Sequence, residues 1–424
     1  MKITKIDIAV VGGGCAGMSA ALSAKETGAE NIIIFERNPY LGGVLTQCIH
    51  NGFGIHKFHE DLTGTQYAQR LVDKIHAAGI MYTTGTFVTE ITKNKIITVL
   101  SSNGSLRKYK AKSVILSTGC RERTRGALSI PGSRPAGVIT AGAAQKYMNI
   151  DGYLAGNKIV ILGSGDIGLI MARQFVLEGA DVIAVAEIMP HSSGLTRNLV
   201  QCLYDFNIPI YYNTTVTNIV GDLRVEGLYL CTVDKNRKAI KSTQWFVECD
   251  TLVLSVGLIP EIELAYDMGI KLDMATGGAE VDDLYQTSIS GVFSCGNSLH
   301  VHDLVDYVSE ESEQAGANAA QYVIKNTRQN DLDYINVLHD EKICGVVPQK
   351  IQTANDNQIV KLQFRPKEKS QNKDIYVYSG RNIIAKKRFS VLSPGEMCDI
   401  TLDKSRLKSD VKIIVKPPSS NHMP

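Results

Sequence analysis

Two stretches of the chain share one pattern: an apolar run, a glycine-rich turn, a segment of small residues and a second apolar run. The first is IDIAVVGGGCAGMSAALSAKETGAENIIIFE, which begins at residue 6, and the second is KIVILGSGDIGLIMARQFVLEGADVIAVAE, which begins at residue 158. Short apolar runs on either side of a turn and a helix-length segment predict a βαβ unit. The chain is therefore predicted to contain an internal repeat and to belong to the α/β class.

Both copies carry a G-x-G-x-x-G motif, formed by Gly12, Gly14 and Gly17 in the first and by Gly163, Gly165 and Gly168 in the second. In such a motif the first glycine permits a tight turn, the second lets a pyrophosphate approach, and the third lets helix pack on strand. An acid that accepts hydrogen bonds from ribose hydroxyls follows 24 residues after the first glycine in each copy, as Glu36 and Glu187. Two dinucleotide sites, for FAD and a nicotinamide cofactor, are favoured over glycine-rich packing alone.

Three further apolar runs end in small residues. They are SVILSTG at residues 113–119, TLVLSVG at residues 251–257 and GVFSCGN at residues 291–297. Strands that end in small residues are suited to places where the chain crosses between two domains beside a cofactor. A helix is predicted over residues 304–324, and the alternating runs after residue 329 predict a β-rich tail.

Composition and charge exclude several classes of protein. The 45 basic and 43 acidic residues give a net charge of +2, which is too balanced to favour nucleic acid or an anionic membrane as a partner. With 44% hydrophobic and 21% charged residues, the chain matches an ordinary soluble globular protein, so disordered and collagen-like classes are excluded. No apolar run is long enough for an integral membrane segment.

The nine cysteines are dispersed, with no C-x-x-C or other close pair. This pattern excludes local zinc and iron–sulfur ligand sets, a secreted disulfide framework and the adjacent dithiol of thioredoxin-like enzymes. The first apolar run imitates an export signal, but Asp7 interrupts it and a glycine triplet follows, so a buried strand explains it better. We therefore expect reduced thiols and a cytoplasmic location.

Both glycine motifs, the strand ends STG and SVG, and the GVFSCG segment resemble the two-dinucleotide-domain flavoproteins that include the pyridine nucleotide–disulfide oxidoreductases. The resemblance covers about residues 5–328. Within it, EIMPHSSGLTRNLVQCLYDFNIPI and CGNSLHVHDLVDYVSEESEQAG are similar to FAD subunits of multicomponent amine, opine and sarcosine oxidases. They are also similar to flavoproteins associated with anaerobic glycerol-3-phosphate dehydrogenases.

The resemblance implies two Rossmann-like dinucleotide-binding domains, with the NAD domain inserted in the FAD domain. Residues 1–120 and 255–328 are expected to form the FAD-binding domain, and residues 121–254 the NAD-binding domain. Residues 329–424 are expected to form a small C-terminal β-rich domain that serves subunit contacts.

The same resemblance implies the cofactor contacts. FAD is expected at Gly12, Gly14, Gly17, Glu36, Gly42, Gly119, Gly296 and Asn297, and NAD at Gly163, Gly165, Gly168 and Glu187. Asn297 departs from the family, which usually has Asp there, so its contact with the ribityl chain of FAD loses charge assistance. No arginine directly follows Glu187, and a carboxylate at this position repels a 2′-phosphate. NAD(H) is therefore favoured over NADP(H).

Disulfide reductases of this fold carry a cysteine pair where this chain has GGVLTQCIHN at residues 42–51, with Cys48 alone. Disulfide reduction by the usual dithiol route is therefore not expected. Two interpretations of Cys48 stay open. It forms a sulfenate or mixed disulfide beside the flavin, or it is a small residue packed near the ring.

Histidines supply further candidates. His50, His56, His59 and Glu60 lie in one glycine-containing loop, whose spacing matches no standard ligand set. No metal site is predicted, and a polar loop that lines the flavin cavity is favoured.

A second group of histidines follows the segment expected at the flavin. His300 or His302 is a candidate for proton transfer or for binding a substrate anion, and Asp303 is a candidate helix cap. The candidate catalytic residues are Cys48, His50, His300 and His302.

From these observations we expect an FAD-dependent oxidoreductase that exchanges hydride with NAD(H), as the flavoprotein subunit of a multicomponent dehydrogenase. Its expected partner is a dehydrogenase or electron-transfer subunit. A link to glycerol-3-phosphate or to amines and opines rests on the resemblance alone. One alternative is a stand-alone NADH oxidase or peroxidase that uses Cys48. Another is a subunit that holds FAD and NAD without turnover, and the oligomeric state stays open.

Overall fold

The computed structural model describes residues 2–325, 333–354 and 358–418. The chain divides into two compact units, one formed by Met1–Cys120 with Pro260–Pro424 and the other by Arg121–Ile259. The domain boundaries of the sequence analysis stay predictions, and the one between residues 328 and 329 lies outside the described residues.

The first unit begins with a parallel sheet that continues into an antiparallel meander. Its elements are β1 (Ile3–Val11), α1 (Cys15–Glu26), β2 (Ile32–Phe35), β3 (Asn51–Phe53), β4 (Leu62–Thr63), α2 (Gly64–Ala77), β5 (Met81–Thr83), β6 (Thr86–Ile91), β7 (Ile96–Ser101) and β8 (Leu106–Leu116). Strands β5, β2, β1 and β8 pair in parallel, in that order, and β8 also pairs antiparallel with β7, which pairs with β6. The second half of β1 is a continuous apolar run because the strand lies in the middle of the sheet, covered on both faces.

The middle of the chain forms the second unit. Its elements are β9 (Cys120–Glu122), α3 (Arg125–Leu128), β10 (Val138–Thr140), α4 (Ala141–Asn149), β11 (Lys158–Leu162), α5 (Asp166–Leu177), β12 (Asp181–Ala186), α6 (Thr196–Cys202), β13 (Ile210–Tyr211), β14 (Thr214–Gly221), β15 (Val225–Thr232), β16 (Trp245–Glu248), β17 (Thr251–Leu254) and β18 (Leu258–Pro260). A parallel sheet has the order β10-β17-β11-β12-β13, and β14, β15 and β16 form a separate antiparallel sheet. The second βαβ unit predicted from the sequence is β11-α5-β12.

The chain then returns to the first unit through α7 (Glu263–Asp267), β19 (Val292–Ser294) and α8 (Val305–Lys325). Strand β19 pairs in parallel with β8 and so extends the sheet of the first unit. Helix α8 packs closely on α1. The contact leaves no space for a side chain at Gly316, where a Cβ would lie 2.1 Å from the carbonyl oxygen of Ala20. This close contact holds α8 beside the helix that follows the first glycine motif.

The C-terminal part of the first unit is β-rich. Its strands are β20 (Tyr334–His339), β21 (Ile343–Val347), β22 (Lys350–Gln352), β23 (Ile359–Pro366), β24 (Ser370–Ser379), β25 (Asn382–Leu392), β26 (Cys398–Asp403) and β27 (Val411–Lys416). They form one sheet in the order β22-β20-β27-β24-β25 and another in the order β21-β23-β26, with a core that includes Phe364 and Val377. The predicted α/β class, with two Rossmann-like sheets and a C-terminal β-rich region, is confirmed.

None of the described helices combines the length and the apolar character that a bilayer crossing requires.

Candidate functional site

The first glycine motif lies in the turn between β1 and α1. Gly12 has a φ of 110°, and a Cβ there would lie 2.3 Å from the carbonyl oxygen of Ser117. A Cβ on Gly17 would lie 1.9 Å from the carbonyl oxygen of Gly12. Gly14 differs, because the nearest atom to its Cβ position is 3.8 Å away, on Gly43. The protein itself therefore needs the first and third glycines, whereas the second leaves space for a ligand.

The second motif, between β11 and α5, repeats this geometry. Gly163 has a φ of 98°, and its Cβ would lie 2.1 Å from the carbonyl oxygen of Ser255. A Cβ on Gly168 would lie 2.7 Å from the Cβ of Ser255, while the nearest atom to a Cβ on Gly165 is 3.6 Å away. The open position at the second glycine of both motifs fits the pyrophosphate of a dinucleotide, which must approach the helix N-terminus closely.

The acids at the ends of β2 and β12 have matching partners. Glu36 accepts hydrogen bonds from the backbone N–H groups of Gly13 and Asn38, each at 2.7 Å. Glu187 accepts from the N–H groups of Ser164 at 2.9 Å and Met189 at 2.8 Å, and from the Ser164 hydroxyl at 2.5 Å. Both side chains are buried, so these bonds hold each carboxylate beside its glycine turn.

A loop follows each acid and returns to the glycine turn. The N–H of Gly42 donates to the carbonyl of Gly13, and the N–H of Gly194 donates to the carbonyl of Ser164, both at 2.9 Å. Gly42 has a φ of 118°, a conformation that favours glycine. Sequence analysis singled out Gly42 but missed Gly194, although both residues lie at nearly the same distance after the first glycine of their motif.

The small-residue strand ends belong to the same sites. The Ser117 hydroxyl donates to the carbonyl of Val11 at 2.9 Å, which ties the end of β8 to the end of β1. Gly119 has a φ of 74°, and no heavy atom lies within 4 Å of its Cβ position. Ser117 thus joins the two strand ends, the Cβ position of Gly119 is open, and the predicted FAD contact of Gly119 stays a prediction.

The GVFSCGN segment ends in a tight turn before α8. Gly296 has a φ of 66° and donates its N–H to Glu311 at 2.7 Å. The amide oxygen of Asn297 accepts from the N–H of His302 at 3.0 Å, and its amide nitrogen lies 3.6 Å from the sulfur of Cys120. The oxygen expected to accept from the ribityl chain therefore already has one partner, and the predicted FAD contact of Asn297 stays a prediction.

His300 and His302 come together with Glu311, a residue that sequence analysis missed. Nε2 of His300 lies 2.6 Å from Oε2 of Glu311, and Nε2 of His302 lies 3.2 Å from its Oε1. All three side chains are buried. The sequence does contain a signal for Glu311, because it lies on the same face of α8 as the buried Val308 and Ala315.

Burial and mutual contact determine the charge state of this cluster. Burial by itself would raise the pKa of the Glu311 carboxyl, but the imidazoles of His302 and His300 hold this pKa well below its usual range. Burial, together with the neighbouring His302, lowers the pKa of the His300 imidazole, although Glu311 opposes this effect. The cluster therefore contains an ionised carboxylate, and the predicted proton-transfer role of the histidines stays a prediction.

Asp303 is not the helix cap that the sequence suggested. Its carboxylate binds the guanidinium of Arg365 and accepts the N–H of Met397 at 2.6 Å. Both partners lie in the C-terminal β-rich region, and no helix N–H of the described chain donates to this carboxylate. The capping interpretation is wrong because the Arg365 guanidinium and the Met397 N–H of the β-rich region bond to the two oxygens of this carboxylate.

Cys48 is buried beside the start of α2. Its thiol donates to the carbonyl of Val44 at 3.4 Å, and burial, with a smaller effect of Cys15, raises the pKa of the thiol to about 12. Thiolate, which is the nucleophilic form, is therefore scarce at neutral pH. This state favours the interpretation of Cys48 as a packed small residue.

The loop that contains His50, His56 and His59 does not gather into a ligand set. Nδ1 of His50 lies 2.9 Å from the carbonyl of Asn51, and the His56 ring stacks on Tyr307 with centroids 5.5 Å apart. Glu60 forms a two-point bond with Arg70, at 2.6 and 3.0 Å. Within residues 2–325, 333–354 and 358–418, the residues that group as potential metal ligands are instead His300, His302 and Glu311.

Comparisons with known proteins agree with this arrangement. The model of the family named pyridine nucleotide-disulphide oxidoreductase matches residues 6–321. One of the subunits of alkyl hydroperoxide reductase from Staphylococcus aureus is 27% identical over 336 residues, which cover 76% of this chain and 59% of that protein. One of the subunits of opine oxidase from Agrobacterium tumefaciens is 24% identical over 291 residues, which cover 63% of this chain and 55% of that protein.

Among solved structures, thioredoxin reductase from T. acidophilum is similar to this chain with a TM-score of 0.62 and 25% identity. The match covers 76% of this chain and 99% of that one. The chain spans about three fifths of the length of the alkyl hydroperoxide reductase proteins that it matches. The family model covers most of the chain, including both glycine motifs and the GVFSCGN segment. This chain belongs to the pyridine nucleotide-disulphide oxidoreductase family, whose members are oxidoreductases that use FAD and NAD(P)H.

Proposed function

We propose that this protein is an FAD-dependent oxidoreductase that exchanges hydride with NAD(H). The observation that carries the proposal is the pair of matching dinucleotide sites, each with an open second glycine and a buried acid. The bound cofactors supply the hydride chemistry, and the protein supplies binding and orientation. The first site is assigned to FAD and the second to NAD(H), in line with the family resemblance.

The preference for NAD(H) rests on Glu187. Its carboxylate is held by three hydrogen bonds beside the second glycine turn, where the adenosine ribose of a dinucleotide is expected. A 2′-phosphate at this position would meet a like charge in a poorly solvated place, which costs free energy. The residues after Glu187 are Ile188 and Met189, so no arginine there offsets that repulsion.

We further propose that the protein is one component of a larger dehydrogenase. Two relatives of the chain are named as subunits, one of alkyl hydroperoxide reductase and the other of opine oxidase. The partner is a dehydrogenase or electron-transfer subunit that handles the organic substrate. An amine, opine or glycerol-3-phosphate as that substrate and the cytoplasmic location stay predictions.

The stand-alone oxidase or peroxidase is the weaker candidate. That chemistry requires a reactive thiolate at Cys48, whereas burial raises the pKa of this thiol to about 12. The described residues offer no observation that favours a protein which binds both cofactors without turnover.

The test is an anaerobic titration of the FAD-loaded protein with NADH and, separately, with NADPH, followed by flavin absorbance. We expect NADH to reduce the flavin at a rate at least about tenfold higher than NADPH, because about 1.4 kcal/mol of repulsion at Glu187 suffices for that ratio. Chemical reduction with dithionite serves as the control that the bound flavin can be reduced.

Each other outcome has a defined meaning. Faster reduction by NADPH contradicts the assignment of Glu187. Reduction by dithionite but by neither nucleotide contradicts hydride exchange and favours the non-catalytic protein. Loss of oxygen or peroxide turnover in Cys48→Ser would favour the stand-alone enzyme.

A further inference from the structure

A buried cluster next to the Gly296 turn contains more polar groups than its own hydrogen bonds satisfy. It consists of His300, His302 and Glu311, which we call the His–Glu cluster. Their side chains are 4%, 1% and 2% exposed, and their ligand atoms all lie within 4.8 Å of one another. The two histidines lie in the loop before α8, and Glu311 lies on the buried face of α8.

His302 is the unexplained member of the cluster. Its side chain is almost fully buried, yet within the described part of the chain its Nδ1 has no hydrogen-bond partner. Nε2 lies 3.2 Å from Oε1 of Glu311, an ionic contact that is longer than the 2.6 Å between Nε2 of His300 and Oε2 of the same carboxylate. Burying a polar nitrogen without a partner costs free energy. The longer contact at Nε2 points to a ligand there that is not part of the protein.

Two imidazoles and one carboxylate form a recognised set of metal ligands. Zn²⁺ binds histidine nitrogen and carboxylate oxygen at about 2.0–2.2 Å, so neighbouring ligand atoms of a tetrahedral ion lie about 3.3 Å apart. The separation of 3.2 Å between His302 and Glu311 fits this value. The separation of 2.6 Å between His300 and Glu311 is that of a hydrogen bond, which an ion would lengthen as it replaces the proton.

The surroundings of Glu311 support the same assignment. Its Oε1 accepts the N–H of Gly296 at 2.7 Å, a bond that orients the carboxylate toward the two histidines. Metal-bound carboxylates commonly have such outer hydrogen bonds, which fix the ligand in place. The nitrogen-containing set favours Zn²⁺ or a similar first-row transition ion over Ca²⁺ and Mg²⁺, which prefer oxygen ligands.

We propose that the His–Glu cluster binds one divalent transition-metal ion, with Zn²⁺ as the representative probe. The ion fastens the loop of residues 296–303 to α8, and a water molecule completes its tetrahedral set. The proposal does not depend on the hydride exchange proposed above. The sequence analysis predicted no metal, because it weighed a metal only at the His50 loop, whose spacing matches no standard ligand set.

The test uses the full-length, FAD-loaded protein after treatment with a chelator. Addition of Zn²⁺ followed by gel filtration and elemental analysis is expected to give about one equivalent of bound metal. The thermal midpoint is expected to rise with Zn²⁺ concentration, because an ion that binds only the folded state stabilises it. Co²⁺ added in place of Zn²⁺ is expected to give the visible absorption of a nitrogen- and oxygen-bound ion.

Two variants and a matched control make the result specific. His302→Ala and Glu311→Gln are expected to lose the bound metal and the Co²⁺ absorption, whereas His56→Ala, on the exposed loop, is expected to retain both. Circular dichroism and FAD content show whether each variant is folded. If the wild type binds no more metal than folded His302→Ala does, the proposal is overturned. The three residues are then a hydrogen-bonded cluster without a metal ion. Binding that survives in His302→Ala but fails in His56→Ala also overturns it, because the ion then lies elsewhere.

Discussion

At the scale of single residues, glycines of the same motif are required for different reasons. Gly12 and Gly17 are required by the protein, because a Cβ at either position would meet backbone oxygen within 2.3 Å. Gly14 has a φ of −76°, which any residue can adopt, and its Cβ position is open. The packing of the protein therefore does not require glycine at position 14, whereas a pyrophosphate bound there would.

The change Gly14→Ala is expected to weaken FAD binding by about tenfold or more, equivalent to about 1.4 kcal/mol, while the protein still folds. The added methyl group occupies the path of the pyrophosphate, whereas its nearest protein neighbour is 3.8 Å away. The measurement is FAD affinity by fluorescence, together with the thermal midpoint of the FAD-free protein.

Gly126→Ala is the matched control, because it adds the same methyl group in α3, outside both motifs in the sequence, and the nearest atom to its Cβ position, on Thr124, is 3.7 Å away. It is expected to bind FAD like the wild type. Normal FAD affinity in Gly14→Ala would show that the open position at Gly14 does not receive the pyrophosphate.

At the scale of elements, buried polar contacts attach the C-terminal strands to the rest of the first unit. Asp283 accepts the N–H of Gln352 at 2.8 Å and forms a buried ion pair with Lys404 at 3.0 Å. The adjacent Asp282 accepts the side-chain amide of Gln352 at 2.5 Å. The β-rich region is therefore joined to the first unit by charged groups that are expensive to bury alone.

Asp282 makes this junction sensitive to pH. Burial, with the nearby Asp283 charge, raises the pKa of the Asp282 carboxyl to about 7, although the hydrogen bond from Gln352 opposes the shift. A raised carboxyl pKa means that the folded protein holds a proton that the unfolded chain has lost. Its contribution to stability is therefore present below about pH 4 and is lost as the pH rises through about 7.

Asp282→Asn removes this titration, so the variant is expected to gain stability relative to the wild type as the pH rises from about 5 to about 8. The gain is about 3 kcal/mol, since about 1.4 kcal/mol is lost for each of the two pH units between pH 5 and the raised pKa of about 7. The loss of the contact with Gln352 adds an offset that does not depend on pH. The measurement is the thermal midpoint of both proteins at several pH values, and parallel profiles would contradict the assignment.

At the scale of the whole molecule, the two dinucleotide sites lie in separate compact units. Each site has its own sheet, glycine turn and acid, so damage to one leaves the contacts of the other intact. If the two motifs bind FAD and NAD(H) as proposed, binding of FAD and its reduction by NADH can be disrupted one at a time.

Gly165→Ala is accordingly expected to keep bound FAD but to slow its reduction by NADH by about tenfold or more. Gly165 has a φ of −67°, and the nearest atom to its Cβ is 3.6 Å away, so the protein tolerates the methyl group and the nucleotide does not. Anaerobic rapid mixing with NADH measures the rate, and dithionite confirms that the flavin is intact. A wild-type rate in this variant would exclude the second motif as the nucleotide site.

Local patterns in the sequence were enough to predict the two βαβ units, their glycine motifs and their acids. These features depend on local requirements, namely an apolar run for a buried strand, glycine for a tight turn and an acid at a fixed interval. They are visible in the sequence because the residues that satisfy them lie within one short segment. The C-terminal strands were visible for the same reason, through their alternating pattern.

Only the tertiary structure shows which residues the candidate site residues contact. Glu311 contacts His300, eleven positions earlier, because a loop folds back onto the buried face of α8. Asp303 binds Arg365 in the β-rich region, and burial turns Cys48 from a candidate nucleophile into a thiol with a raised pKa. Burial, desolvation and long-range pairing depend on how distant segments pack, and a local pattern of residue types does not specify that packing.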